Sequence, residues 1–341
     1  MSDNSTLYIL LAAYILDIVL GDPRWLPHPV ILMGKAISFF EPVFRRFIKL
    51  EFVAGLLFAL ILIFATWAAS FWIVKIAWLF HPFAGIAAEV VLIFFCLSAR
   101  TLERAASEVK EAFEKGSSDE INSFRNNIDA IKNCKIDNGL EAARFKVSMI
   151  VGRDVKYLNE TGVVKATVET VAENFVDGFL SPLFFALVGG VPAAVAYKMV
   201  NTLDSMVGYR NERYILFGRA SARIDDVANF IPARLSVLII SIAAAIISLK
   251  RGKLAFITAI KEGREHKSPN SGYPEAAFAG ALEVKLGGPN YYHGQLVEKP
   301  HIGKKFGDPG RENIRMACEL MLLSSLVVMV LIIIFALVIT P

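Results

Sequence analysis

Two stretches of an otherwise apolar chain concentrate groups that bind ions and phosphates. "NTLDSMVGYRNERY" (201–214) and "ARIDDVANFIPAR" (222–234) set Asn201, Asp204, Asp225, Asp226 and Asn229 among Arg210, Arg213, Arg219 and Arg223. Asn201 and Asp204 lie three apart, and Asp225 and Asp226 precede Asn229 by four and three, so on helices each set shares a face. Such oxygen clusters hold Mg²⁺ against phosphate oxygens while the ion keeps several waters, which makes Asp204, Asp225, Asp226 and Asn229 candidate metal ligands. Arg210, Arg219 and Arg223 suit bidentate recognition of phosphate or carboxylate, with Asn201 and Asn229 beside them. The alternative is a set of structural ion pairs at helix ends.

"ETVAENFVDG" (169–178) places Glu169, Glu173 and Asp177 at i, i+4 and i+8, one helical face with Asn174 beside it. Like charges at that spacing destabilise a helix unless a cation neutralises them. A solvated acidic face is the simple reading. The interleaved Val171, Phe175 and Val176, and the apolar run from Phe179, point the face toward the membrane domain instead, with Mg²⁺ or a substrate amine as its partner. In "DIVLGDPRWLPHPVILMG" (17–34) the prolines make a stiff non-helical connector. It is either an interfacial turn with Trp25 as a belt residue or a frame holding Asp22, Arg24 and His28 for binding. In "SPNSGYPEAAFAGAL", Ser268, Asn270, Ser271 and Gly272 form a polar turn feeding a helix N-terminus, a geometry that binds anions. His266 and His293 stand alone and read as hydrogen-bonded structural residues. No GxxxxGK[ST] or GxGxxG motif is present.

These groups must be positioned by membrane helices. Of 341 residues, 55% are hydrophobic, gathered in long blocks, while 20% are charged and lie between them. The net charge of +4 is spread over many loops and makes no nucleic-acid stripe. Cys96, Cys134 and Cys318 are unclustered and read as packing residues in a reducing setting. The first apolar stretch has no basic n-region or small-residue cleavage site, so no cleavable signal peptide is expected. A bilayer core takes roughly 20 apolar residues as helix, which 53–74, 77–97 and 317–340 supply. Residues 179–200, interrupted by Gly189, Gly190 and Pro192, and 231–249, with Arg234 near its start, are weaker spans; 7–20, with Asp17, reads as a half-span or interfacial helix. The first two long spans form a hairpin. Arg24, Lys35, Arg45, Arg46 and Lys49 on one flank, with Arg100 and Arg104 on the other, place its open side in the cytoplasm.

Residues 98–178 form a polar helical insert. "SARTLERAASEVKEAFEKG" is an amphipathic helix stopped by Gly116, Ser117 and Glu120 form a capping box, and Asn138-Gly139 marks a turn. The fold expected is all-α: a polytopic integral membrane protein with a helical cytoplasmic insert. Its segments are 1–97, 98–178, 179–316 and 317–341. If 179–200 and 231–249 each cross the bilayer once, the 201–230 motifs lie opposite the others. A broken or re-entrant segment at Gly189-Gly190 would remove that conflict.

The chain resembles the CobD/CbiB family, the membrane-bound adenosylcobinamide-phosphate synthases of cobalamin biosynthesis. "GDPRWLPHPV", "GRD" (152–154), "ETVAENFVDGFLSPLFF", "NTLDSMVGY", "FGRASARIDDVANFIPARL", "SPNSGYPEAAFAGAL" and "LGGPNYY" carry the resemblance, in order over roughly 15–295. It implies ATP-dependent amide formation between a carboxylate of adenosylcobyric acid and the amine of aminopropanol phosphate or ethanolamine phosphate. Mg²⁺ and ATP are then expected, with an adenosylcorrinoid as substrate, the inner or plasma membrane as location, and other late cobalamin-pathway membrane enzymes as partners. On this reading Glu169, Glu173, Asp177, Asp204, Asp225 and Asp226 are the catalytic carboxylates. Arg153 of "GRD" joins Asp22, His28, Asn174 and the residues above in substrate binding. An intramembrane Mg²⁺-dependent prenyl- or phospho-transferase, and a corrinoid-binding transporter or scaffold, are the alternatives.

Overall fold

The computed structural model describes residues 3–22, 28–115, 138–209, 211–292 and 294–339. Five helices open the chain: α1 (Asp3–Leu20), α2 (Pro29–Phe47), which runs through Pro42, the apolar α3 (Glu51–Phe80) and α4 (Pro82–Phe94), and the amphipathic α5 (Ala99–Lys115). α3 has 30 residues and turns at His81, later than the break expected near residue 75. Lys75 stays inside it because its ammonium lies 4.8 Å from the centre of the Trp72 ring. His81 then caps α4, its Nδ1 accepting the Phe83 N–H at 3.2 Å, and Pro82 starts the helix where its missing N–H costs nothing. The hairpin is tight: a Cβ on Gly85 would stand 2.4 Å from the Trp78 ring, whose Nε1 donates to Glu89 at 2.7 Å.

Further along come α6 (Asn138–Ser148), α7 (Glu160–Phe175), a π-helical turn (Val176–Leu180) and α8 (Ser181–Val207). Asn138 therefore opens a helix where a turn was expected, and the capping-box pair Ser117 and Glu120 lies outside the described residues. α8 is broken as its sequence suggested: Gly189 has φ −134°, ψ 16°, and Gly190 has φ +70°, ψ −173°. α9 (Arg219–Ala228), α10 (Phe230–Ile247), α11 (Leu249–Glu262) and α12 (Gly272–Leu282) follow. Strands β1 (Leu286–Gly287), β2 (Asn290–Tyr292), β3 (Gln295–Val297) and β4 (His301–Ile302) pair as two small antiparallel ladders before α13 (Glu312–Ile339). Their brevity hid them from periodicity analysis.

Among the described residues, five helical stretches are long and apolar enough to cross a membrane: Glu51–Phe80, Pro82–Lys115, Glu160–Val207, Phe230–Ile247 and Glu312–Val338. The protein is an all-α, multi-pass membrane protein. Cys96 and Cys318 are buried free thiols, as packing residues should be; Cys134 lies outside the described residues.

The chain divides into two units: unit 1 is Met1–Arg100, Val176–Pro232 and Val328–Pro341; unit 2 is Thr101–Phe175 and Ala233–Val327. The stretch 98–178 is therefore shared between them. In unit 1, α3 packs on α8 and α9, and Gly55 lets the backbones touch: a Cβ there would fall 1.8 Å from the Phe217 carbonyl oxygen. Buried Glu41 ties this region together, accepting Arg45 Nε at 3.0 Å, Arg213 Nη2 at 3.0 Å and Tyr214 OH at 3.2 Å. Arg213 is thus a structural arginine. In unit 2, α12 is buried on every face and lies against α11 and α7.

Candidate active site

In unit 2, α7 carries Glu169 and Glu173 one turn apart. Arg153, from the loop before α7, meets Glu169 with Nη2 to Oε2 at 2.6 Å, and the Gly287 N–H donates to the other oxygen at 2.7 Å. Burial alone would lower the guanidinium's affinity for its proton; the Glu169 charge outweighs it and raises the pKa. Glu275 reaches the same cluster from α12. Its carboxyl is pushed well up by burial and by the charges of Glu169 and Glu173. Burial pulls Lys299 down, but its hydrogen bond to Tyr292 leaves the ammonium raised overall. The cluster thus gathers three acidic side chains, Glu169, Glu173 and Glu275, around two basic ones, Arg153 and Lys299. Glu173 is solvent-accessible on α7.

In the "SPNSG" turn, three of the N–H groups expected to be available for an anion, those of Ser268, Asn270 and Ser271, are taken by side chains of the turn itself. Ser268 Oγ accepts from the N–H groups of Asn270 at 3.2 Å and Ser271 at 3.3 Å, and His266 Nδ1 accepts the Ser268 N–H at 3.0 Å. Asn270 Oδ1 accepts Arg234 Nη1 at 3.2 Å. Gly272 is required by packing, since a Cβ would stand 2.3 Å from the Gly263 carbonyl oxygen. The turn is an internally hydrogen-bonded support for the start of α12, and thereby for Glu275. His266 is structural too; burial pushes its pKa down to about 4.

In unit 1, Asp177 sits in the π-helical turn, where Asn201 Nδ2 approaches its carboxylate at 3.4 Å. The three-carboxylate face of the sequence reading therefore divides: Glu169 and Glu173 belong to unit 2, Asp177 to unit 1. Asn174 turns back on its own helix, donating to the Thr170 carbonyl at 3.0 Å. Asn229 Oδ1 accepts two hydroxyls, Ser181 Oγ at 2.6 Å and Tyr197 OH at 2.8 Å, while its Nδ2 donates to Asp225 at 3.0 Å. That oxygen is committed to the protein and is a poor metal ligand. Asp204 lies over the helix end, its Oδ1 occupying the space a Cβ on Gly208 would need. Asp225 and Asp226 are half-buried on α9. Arg219 and Arg223 are exposed there one turn apart, with no hydrogen-bond or ion-pair partner among the described residues. Arg210 lies outside the described residues. Asp22 and His28 pair at 3.4 Å while His28 caps α2, its Nδ1 accepting the Val30 N–H at 3.2 Å. The connector between them, residues 23–27 with Arg24 and Trp25, lies outside the described residues.

Sequence reasoning missed Glu275 and Lys299. Glu275 stood inside a quoted block, immediately after Pro274, and was passed over because a single acid in a small-residue helix carries no pattern.

The family model for CobD/Cbib proteins matches residues 10–133 and 120–321. The chain belongs to the CobD/Cbib family. Among relatives, a "Cobalamin biosynthesis protein CobD" of Geobacter metallireducens is 46% identical over 295 residues, 86% of each chain. One of the same name from Klebsiella pneumoniae is 42% identical over 323 residues, 94% of each chain. A "Cobalamin biosynthesis protein CbiB" of Salmonella typhimurium is 40% identical over 324 residues, again 94% of each. No solved structure matches the chain. Within this CobD/Cbib chain, no group of three or more His, Cys, Asp or Glu side chains among the described residues could hold a metal ion by itself. Mg²⁺ seldom needs such a cage: one or two carboxylates plus substrate phosphates suffice. Asp204, Asp225 and Asp226 fit that smaller demand.

Proposed function

We propose that the protein is an adenosylcobinamide-phosphate synthase of cobalamin biosynthesis, joining aminopropanol phosphate or ethanolamine phosphate to adenosylcobyric acid with consumption of ATP. The observation that carries the reading is membership of the CobD/Cbib family over nearly the whole chain, with relatives named for cobalamin biosynthesis. The inner or plasma membrane is its proposed location, and other late enzymes of that pathway are its proposed neighbours there.

A carboxylate is a poor acyl donor. In the proposed route ATP's terminal phosphoryl group passes to a corrinoid carboxylate, giving an acyl phosphate and ADP. The amine then attacks the acyl carbon, phosphate leaves, and one proton goes to a base. In unit 1, the unpartnered Arg219 and Arg223 are suited to the polyphosphate, and Asp225 or Asp226 to a phosphate-bound Mg²⁺. The ion would neutralise charge developing on phosphoryl oxygens. In unit 2, Glu169 is engaged by Arg153 and Gly287, so the accessible Glu173 is the better candidate to take the amine's proton.

The test is detergent-purified protein given adenosylcobyric acid, aminopropanol phosphate and Mg-ATP, followed by mass spectrometry. A corrinoid heavier by the amide-linked aminopropanol phosphate is expected; its absence in active preparations overturns the proposal. Glu173→Gln should lose most rate at neutral pH and recover part of it as pH approaches the amine's own pKa. An equal loss at every pH would assign Glu173 a structural or ion-binding role. Asp226→Asn should abolish turnover with extraction near wild type, and full activity would remove Asp226 from the phosphate site.

A further inference from the structure

Unit 2 contains a recess of about 390 Å³ lined in part by the "GRD" and "LGGPNYY" blocks. Its wall includes Arg153, Asp154, Lys165, Gly288, His301 and Asp308. Two of these are cationic and two anionic, on opposed short segments. Lys165 Nζ meets Asp308 at 2.8 Å, and Lys285 shares the same oxygen at 3.3 Å. Asp154 is fixed by its backbone N–H, which donates to the Tyr291 carbonyl at 2.9 Å, and by accepting the Gly294 N–H at 2.7 Å. Gly288, at φ +97°, keeps the wall open: a Cβ there would stand 2.4 Å from His301 Cε1. Behind the wall is Glu169, held by two residues that line it, Arg153 and Gly287.

We propose that this recess binds the small amine co-substrate: a short zwitterion whose phosphate lies at Lys165 and whose ammonium lies at Asp154. The inference rests on the amide-ligase reading for the ligand's class and on the recess for its place. A corrinoid is far too large for the volume. A nucleoside triphosphate brings three or four negative charges to a wall carrying Asp154 and Asp308, and it would have to displace them. A phosphomonoester amine carries about −2 on its phosphate and +1 on its ammonium: the phosphate takes the place of Asp308 at Lys165, the ammonium meets Asp154, Asp308 keeps Lys285, and waters fill the remaining space. Arg153 links the recess to Glu169, so the amine is delivered beside the carboxylate cluster that contains Glu173.

The experiment is titration calorimetry on the full chain in detergent, with ethanolamine phosphate, ethanolamine, inorganic phosphate and ATP as separate probes. Lys165→Gln should raise the Kd for ethanolamine phosphate about tenfold or more, the weight of one charge-assisted hydrogen bond, and leave ATP unaffected. Asp154→Asn should weaken ethanolamine phosphate and not inorganic phosphate. Asp308→Asn, which releases Lys165, should tighten both anions, a direction no folding defect produces. Loss of ATP binding in Lys165→Gln with ethanolamine phosphate unchanged overturns the proposal, as does indifference of ethanolamine phosphate to Lys165 and Asp154. Binding is read without turnover. If these shifts appear and no amide forms, the recess stands and the ligase reading falls; if amide forms with unchanged KM in both variants, the reverse holds.

Discussion

Asn229 and Glu169 show how a polar side chain in this protein is held before it does anything else. Removing Asn229 takes away the acceptor that the buried Ser181 and Tyr197 hydroxyls share; the two can still bond each other, so the cost is that of about one unsatisfied group, roughly 1–3 kcal/mol. Asn229→Ala is therefore expected to melt earlier in detergent than wild type; unchanged melting with altered Mg²⁺ dependence would return it to the metal site. Glu169→Gln leaves the Arg153 guanidinium buried without its counter-charge, a loss of about 3–5 kcal/mol. Glu169→Gln with Arg153→Met should recover part of it, read as a coupling energy from the four melting curves. His266 supplies a pH dependence. Unfolded, it takes a proton below its ordinary pKa of about 6.5; folded, it refuses one until about 4. The unfolded state binds more protons in that window, so stability falls as pH drops from about 6.5 toward 4, and His266→Gln should flatten the slope of melting temperature against pH. The acidic and arginine-rich positions were legible because carboxylates beside apolar runs are conspicuous. What could not be read was commitment: Asn229, Arg213 and Asn174 have the same types as ligand-binding residues, and only their neighbours reveal them as ties.

At the scale of elements, the break in α8 is the clearest case of sequence dictating geometry. Gly190 at φ +70°, ψ −173° adopts a conformation that L side chains avoid, and Pro192 removes a donor just beyond it. A Cβ on Gly190 would meet nothing nearer than Pro192 Cδ at 3.7 Å, so the cost of Gly190→Ala is backbone strain alone, on the order of 1–3 kcal/mol. A lower melting temperature is expected for Gly190→Ala, and an equal one would mean the backbone relaxes into continuous helix. The spans expected at 53–74 and 77–97 correspond to the Glu51–Phe80 and Pro82–Lys115 stretches, but their turn falls at His81 rather than near residue 75. Cation–π contact with Trp72 allowed the helix to continue. The π-helical turn at Val176–Leu180 left no periodicity to detect, yet it fixes which carboxylates share a face.

For the whole molecule, the α3–α4 hairpin carries a topological expectation. With its tip at His81, single cysteines at Lys49 and Arg104 should react with impermeant reagent only from the cytoplasmic side, and one at His81 only from the other; labelling of all three from one side would exclude a spanning hairpin. Reading along the chain yielded four consecutive segments because sequence offers no sign that Val328–Pro341 belongs with Met1–Arg100. That interleaving bears on biosynthesis. A ribosome delivers the N-terminus first, yet a chain halted after residue 327 would contain every residue of unit 2 and still lack the end of unit 1. Unit 1 is begun before unit 2 and closed after it, so the helices of Met1–Arg100 must wait in the bilayer, their last partner segment unmade, while all of Thr101–Val327 is synthesised.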